Sequence, residues 1–283
     1  MNPQELVQII QRDSGLDVES YNLLLDGWDN IVLEVNSAII FRFTRRREIL
    51  EQHIKELELL PLLREHLTLQ VPEPIYHQTD DPPYYMGYMK IPGNPITKRF
   101  GTEKIIQTMT RFIQELQEID HKSLNKTRRY TPESWRKEYH DLYQRIKKEA
   151  YPSLPPDIQS RITIEFNHFM ETTKCFTPTL CHRDLTADHI IVQGEEIVGV
   201  IDWGDTCIGD PAFDLTGLIM DWGIENAQRV SESLGYPPDY LDRAQFYSHV
   251  SPFYEYLYGK EINDQKHIKA GLEKIKKNYS PTI

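Results

Sequence analysis

Asp184, His189 and Asp202 are the residues of this 283-residue chain whose types and spacing are best suited to chemistry. Asp184 closes the triplet His182-Arg183-Asp184, His189 follows five positions later, and Asp202 opens the run Asp202-Trp203-Gly204-Asp205. A carboxylate held in a tight loop can orient a hydroxyl and accept its proton. Asp202 ends an apolar run, Ile197-Val198-Gly199-Val200-Ile201, which would deliver a second carboxylate to a hard cation such as Mg2+. His189 can reach the same ion from the loop that carries Asp184. Base, metal ligands and a rigid loop are the parts that phosphoryl transfer uses, because that chemistry is mostly positioning and charge neutralisation. Taken alone, Asp184 is more readily an exposed turn residue; the combination favours the chemical reading.

The elements that must position these residues can be read from periodicity. Pro3 to Asp13 is a short amphipathic helix with Leu6, Ile9 and Ile10 on one face. Ile31–Val35 and Ala38–Phe43 read as strands turning at Asn36-Ser37, and Tyr84–Ile91 as another that ends at Pro92-Gly93. Between them Glu48–Glu65 carries Leu50, Ile54, Leu57, Leu60 and Leu63 at helical spacing. This predicts a first lobe over residues 1–91, an antiparallel sheet with one inserted helix. Residues 92–283 read as mainly helical, with helices over Lys104–Leu116, Ser134–Glu149 and Asp157–Glu171. Short strands at Thr179–Cys181, Ile190–Val192 and Ile197–Ile201 bracket the reactive residues. The expected fold is α+β and two-lobed.

Composition narrows the partners. A net charge of −11 argues against nucleic acid and anionic membranes and favours a neutral or cationic small molecule. Three cysteines without metal-ligand spacing read as reduced thiols. There is no basic-then-apolar leader and no apolar run near the ~20 residues that span a bilayer. The expectation is a soluble, cytoplasmic monomer.

His182-Arg183-Asp184 with His189, then Ile201-Asp202-Trp203-Gly204-Asp205 and Gly209-Asp210-Pro211-Ala212-Phe213-Asp214, resemble the aminoglycoside phosphotransferase family, whose fold is that of protein kinases. Gly27-Trp28-Asp29-Asn30, Phe41-Arg42-Phe43 and Glu56-Leu57-Glu58-Leu59-Leu60-Pro61 extend the resemblance over nearly the whole chain. It implies that Asp184 is the catalytic aspartate and Asp202 the principal Mg2+ ligand, with ATP or GTP as co-substrate. It implies a nucleotide site built from Gly27, Asp29 and Asn30 over the phosphates, Arg42 and its helix partner Glu56, and a hinge of Tyr88, Met89, Lys90 and Ile91. Arginine grips phosphate through a fork, so Arg42 suits the role usually held by lysine. Without the resemblance, Arg42 and Glu56 are as readily a surface ion pair.

Two positions depart from the family pattern. His189 stands where asparagine is commonest, although the 2″-aminoglycoside and macrolide branches carry histidine there; imidazole makes Mn2+ an alternative metal. Arg183 stands where glycine or asparagine is usual. Only seven residues separate Asp202 from Asp210-Pro211, too few for a peptide-docking segment, so Arg183 is assigned a local contact and protein substrates are excluded. His182 and Asp214 are expected to brace the loop, and Asp210 to act as a turn or cap residue.

On the acceptor side, Gly204 to Asp242 holds eight carboxylates and one basic residue, Arg229. Asp214, Asp221 and Glu225 are spaced to lie along one side of a helix. A charge run is most often a solvated face, but this one begins beside the reactive residues and would pair with ammonium groups. Ser251–Lys260 resembles the C-terminal end of 2″-aminoglycoside phosphotransferases, which adds Glu255 and Tyr258 to Asp221 and Glu225 as candidate sugar contacts. The overall expectation is a kinase acting on an aminoglycoside hydroxyl, the 2″ position favoured. A macrolide or metabolic kinase and a nucleotide-binding sensor are the rivals.

Overall fold

A computed structural model describes residues 2–26, 29–96 and 102–280, and they divide into two compact units. The first comprises residues 1–96, 119–127 and 188–206, the second 97–118, 128–187 and 207–283. The sequence reading places one boundary at residue 91. In the structure the first unit also takes in the segment that carries His189 and Asp202.

The first unit is built on a five-stranded antiparallel sheet in the order β1-β2-β3-β5-β4: β1 (Tyr21–Asp26), β2 (Asn30–Val35), β3 (Ile39–Thr44), β4 (Pro74–Gln78) and β5 (Tyr85–Met89). The turn between β2 and β3 places Asn36 and Ser37 at φ 51° and 55°, the left-handed geometry of a tight hairpin. α1 (Pro3–Ser14) starts at a capping box in which Asn2 and Glu5 bond reciprocally, and ends at Gly15 with φ 69°. Its Leu6, Val7 and Ile10 join Leu33, Val35, Phe41, Phe43 and Tyr85 of the sheet in one core. Thus α1 is a second helix of this unit beside α2 (Arg47–His66). β1 and β4 escape the sequence reading because each carries a bulge, between Leu23 and Leu25 and between Pro74 and Tyr76, that breaks strict alternation. A second, three-stranded sheet completes the unit: β6 (Asn94–Pro95), then the hairpin β9 (Ile190–Gln193) and β10 (Glu196–Val200), in the order β10-β9-β6.

The second unit is mainly helical: α3 (Glu103–Glu118), α4 (Pro132–Glu149), α5 (Pro156–Thr172), α6 (Leu215–Trp222), α7 (Ile224–Ser233), α8 (Pro238–Ile262) and α9 (Gln265–Tyr279). Its core is aromatic, with Trp135, Tyr139, Phe166, Phe169, Phe246, Tyr247 and Phe253 in one buried cluster. A small sheet, β7 (Arg128–Arg129), β11 (Cys207–Gly209) and β8 (Thr179–Cys181), supports the loop that follows β8. The helical lengths match the periodicity to within a few residues. Cys181 and Cys207 are buried free thiols and Cys175 is an exposed one. No helix among the described residues is long and apolar enough to cross a membrane.

Candidate active site

In the first unit, Arg42 is the centre. It lies in β3 and is 4% exposed, so its charge must be met inside the protein. One guanidinium nitrogen donates to Glu56 Oε2 at 2.8 Å and another to Asp202 Oδ1 at 3.0 Å. Burial works against the charge, but the two carboxylates outweigh it and hold the arginine above its ordinary pKa. Arg42 and Glu56 are a buried pair, not a surface one, and the same guanidinium reaches outward to a half-exposed Asp202.

Asp202 sits just beyond β10 at φ 65°, a left-handed conformation that aspartate tolerates better than most residues. The turn that holds it is fixed locally: the Trp203 indole is fully buried and donates to Val200 O at 3.1 Å. Ile201 N–H donates to His189 O at 2.9 Å, which ties the two candidate ligands across the β9–β10 hairpin. His189 Nε2 lies 3.6 Å from Asp202 Oδ2. The same turn docks on α2. A Cβ on Gly204 would stand 3.0 Å from Gln52 Oε1, and Lys55 Nζ donates to Thr206 O at 2.8 Å.

Behind Arg42 is a residue that the motifs do not mark. His53 lies one helical turn before Glu56, is fully buried, and its Nε2 is 3.1 Å from Asn30 Oδ1. Burial, reinforced by the charge of Arg42, pushes its pKa down to about 3, so it is a neutral imidazole at physiological pH. Asn30 therefore joins β2 to α2 through its side chain. Its neighbour Asp29 pairs with Arg46 at 2.7 Å and accepts from Arg45 N–H through its carbonyl at 2.9 Å. Gly27 and Trp28 lie outside the described residues.

Among the expected hinge residues, Tyr88 and Met89 end β5, where they pair with Ile40 and Ile39 of β3. Tyr88 is buried and Met89 is half-exposed. Lys90 is engaged twice within the fold: its N–H donates to Ala38 O at 2.8 Å and its Nζ pairs with Glu34 at 2.6 Å. Ile91 is buried.

In the second unit, Asp184 is set in a loop anchored by buried polar groups. His182 N–H and Arg183 N–H donate to the two oxygens of Asp214 at 3.0 and 2.9 Å. Asp184 N–H donates to His182 Nδ1 at 3.2 Å, so that ring nitrogen is the acceptor in a fully buried imidazole. Asp214 is itself fully buried, and burial lifts its pKa to about 6 although the two backbone N–H groups work the other way. The bracing expected of His182 and Asp214 is present in the structure.

Asp210 does more than cap. It accepts from Ala212 N–H at 3.0 Å, from Arg243 Nε and a second guanidinium nitrogen at 2.6 and 3.0 Å, and from the Tyr247 hydroxyl at 2.6 Å. This two-pronged arginine–carboxylate pair is buried on both sides, and Arg243 lies outside every motif. Only a fold could reveal it, because Arg243 follows Asp210 by 33 residues and reads locally as one charge on a helix.

The acidic wall does not survive folding. Asp214 is buried beneath the loop, α6 stops at Trp222, and Gly223 at φ 84° turns the chain before Glu225 enters α7. Asp214, Asp221 and Glu225 therefore do not lie along one helix. Asp221 accepts from Ala187 N–H at 2.8 Å, which commits one of its oxygens to the loop after Asp184. Glu225 is exposed. Glu255 pairs with Lys274 at 2.8 Å and lies 3.5 Å from His267, and Tyr258 packs edge-on to His267 at 5.6 Å between ring centres. Both face α9, so their first role is to join α8 to that helix.

A family model described as the phosphotransferase enzyme family matches residues 20–247. The chain belongs to that family. The family assignment makes it a kinase-fold phosphotransferase acting on hydroxyl groups. The viomycin phosphotransferase of Streptomyces vinaceus is 24% identical over 204 residues, 69% of this chain and 70% of that one. The solved GDP and kanamycin complex of APH(2″)-IIIa superposes with a TM-score of 0.90 at 22% identity, covering 97% of this chain and 98% of that one. Macrolide 2′-phosphotransferase MphH from Brachybacterium faecium gives a TM-score of 0.78 at 20% identity, with 99% of each chain covered.

Proposed function

We propose that this phosphotransferase moves the γ-phosphate of ATP or GTP to a hydroxyl of an aminoglycoside, the 2″ hydroxyl favoured, and so inactivates the drug. The reading rests on the buried Arg42–Glu56 pair and its bond to Asp202 beside His189, in a chain whose Asp184 loop is braced by Asp214. The likeness to a kanamycin-bound aminoglycoside phosphotransferase supports the choice of acceptor.

Asp184 orients the acceptor hydroxyl and takes its proton as the phosphate bond forms. Arg42 offsets phosphate charge with a guanidinium that Glu56 keeps in place. Asp202 and His189 are the candidate ligands of a divalent cation, Mg2+ or Mn2+. Among the described residues no group of three or more metal-ligating side chains occurs, and two protein ligands suit an ion that takes the rest from phosphate and water. Such an ion would neutralise charge that develops between the β- and γ-phosphates. Gly27, Asp29 and Asn30 would cover the phosphates and Tyr88 to Ile91 the base. With Asp221 and Glu255 already partnered, Glu225 is the acidic residue best placed by exposure to meet an ammonium group.

One observation favours a second reading, a macrolide or another partly apolar acceptor. Met220 and Ile224, which flank the loop-bonded Asp221 and the turn into α7, are exposed, and the acidic wall that favoured a polyamine is absent. Transfer of labelled phosphate from ATP and from GTP to kanamycin, gentamicin, erythromycin and choline separates the readings. Phosphorylated kanamycin or gentamicin, abolished by Asp184→Ala with nucleotide affinity retained, is the expected result. Turnover of erythromycin or choline alone would replace the aminoglycoside reading. Tight nucleotide binding with no turnover would mean a sensor.

A further inference from the structure

Arg183, beside the candidate base, has φ 69°, a backbone conformation that glycine adopts freely and an arginine does not. A side chain kept in such a conformation is held there by what it touches. The Arg183 guanidinium donates to Glu138 of α4 and, at 3.3 Å, to the Tyr130 hydroxyl. It also stands 5.3 Å from the ring centre of Trp135 and 5.6 Å from that of Phe213. Four-fifths of the Arg183 side chain is shielded from solvent, and nearly as much of Glu138. The second oxygen of Glu138 accepts from the Tyr130 hydroxyl at 2.5 Å and pairs with Arg128 at 3.2 Å. The indole under the guanidinium is fixed in turn: Trp135 Nε1 donates to the Tyr247 hydroxyl at 2.9 Å, and Tyr247 to Asp210. The residue before Asp184 is thus held from two sides, its backbone by Asp214 and its side chain by Glu138.

We infer that Glu138, which lies outside every motif, is a positioning residue for Asp184, acting through Arg183 to hold the left-handed turn that aims the carboxylate. The inference rests on the reading of Asp184 as the base. A displacement of about 1 Å in a reacting group costs on the order of 100-fold in rate, so a clamp one residue from the base carries catalytic weight without touching substrate.

The test uses the full chain and the variants Glu138→Ala, Glu138→Gln, Arg183→Gly and the double Glu138→Ala/Arg183→Gly. Steady-state kinetics with kanamycin and nucleotide are read beside amide hydrogen exchange at residues 182–186. Glu138→Ala is expected to lower kcat by about 10- to 100-fold with nucleotide KM within about twofold, and to speed exchange at those amides. Glu138→Gln, which keeps the side-chain shape and one acceptor, is expected to lose less and guards against misfolding of the alanine variant. Arg183→Gly suits the turn but lacks the fork. Adding Glu138→Ala to it should cost less than about a further twofold, because the partner is already gone. Losses that multiply, a kcat within about twofold of the parent, or a raised KM with kcat intact would overturn the inference. If the parent chain phosphorylates no acceptor, the functional reading fails. Exchange still decides this point, because unchanged protection at 182–186 in both Glu138 variants refutes the clamp.

Discussion

Replacing Asp214 by asparagine should change how the stability of this protein depends on pH. The carboxylate is fully buried and ionises near 6 in the fold, against 3.8 for an ordinary aspartate. A carboxyl whose folded pKa is raised contributes stability that is fully present below the unfolded value and lost as pH rises through the folded one. Charging Asp214 between pH 3.8 and about 6 therefore removes about 3 kcal/mol of stability relative to a group that does not titrate. Asparagine has no proton to lose, but its amide offers one acceptor to the two N–H groups of His182 and Arg183, so one bond is lost at a cost of about 1–3 kcal/mol. At pH 7 the two effects nearly offset. Near pH 4, just above the unfolded pKa, the parent protein should be the more stable by about 2 kcal/mol beyond whatever separates the two at pH 7. Urea unfolding of both proteins at pH 4, 5, 6 and 7 measures the difference directly. A difference that is flat over this range, or that grows in favour of the parent as pH rises, would refute the argument that burial dominates this carboxyl.

Glu56→Ala leaves the Arg42 charge in the interior with one of its two partners gone, and should cost about 3–5 kcal/mol in denaturant unfolding as well as weaken nucleotide binding by calorimetry. Arg243→Met strands the buried Asp210 carboxylate and should lower stability by a similar ~3–5 kcal/mol. Its thermal midpoint is the readout, and an unchanged midpoint would mean that the pair adds nothing. Gly217→Ala would place a Cβ 2.0 Å from Leu185 O, so α6 or the loop that carries Asp184 must move. About 1–3 kcal/mol of destabilisation with a disproportionate fall in kcat is expected, seen by comparing unfolding curves with turnover.

The candidate site residues were legible from the chain because they are marked by local order. His182, Asp184, His189 and Asp202 fall within 21 consecutive residues, and β9 and β10 between the last two pair as a hairpin, the most local kind of sheet. The long helices were legible for the same reason: α2, α4 and α5 declare their apolar faces within a few turns. β1 and β4 were not, since a bulge breaks the alternation of each, and neither were the two-residue strands β6 and β7, whose partners lie far along the chain.

What the sequence by itself determined is which chemical groups this phosphotransferase has and in what order. Which carboxylates remain for chemistry was decided only by tertiary structure. Asp210, Asp214, Asp221 and Glu255 look alike in the sequence, yet Arg243, the His182–Arg183 amides, the Ala187 amide and Lys274 each claim one of them. Those partners lie 19 to 34 residues away, beyond any helical or strand period. Arg42 and Asp202 meet across 160 residues, and Arg183 and Glu138 across 45. A buried charge is stable only where folding brings its counter-charge, and no local pattern records that meeting.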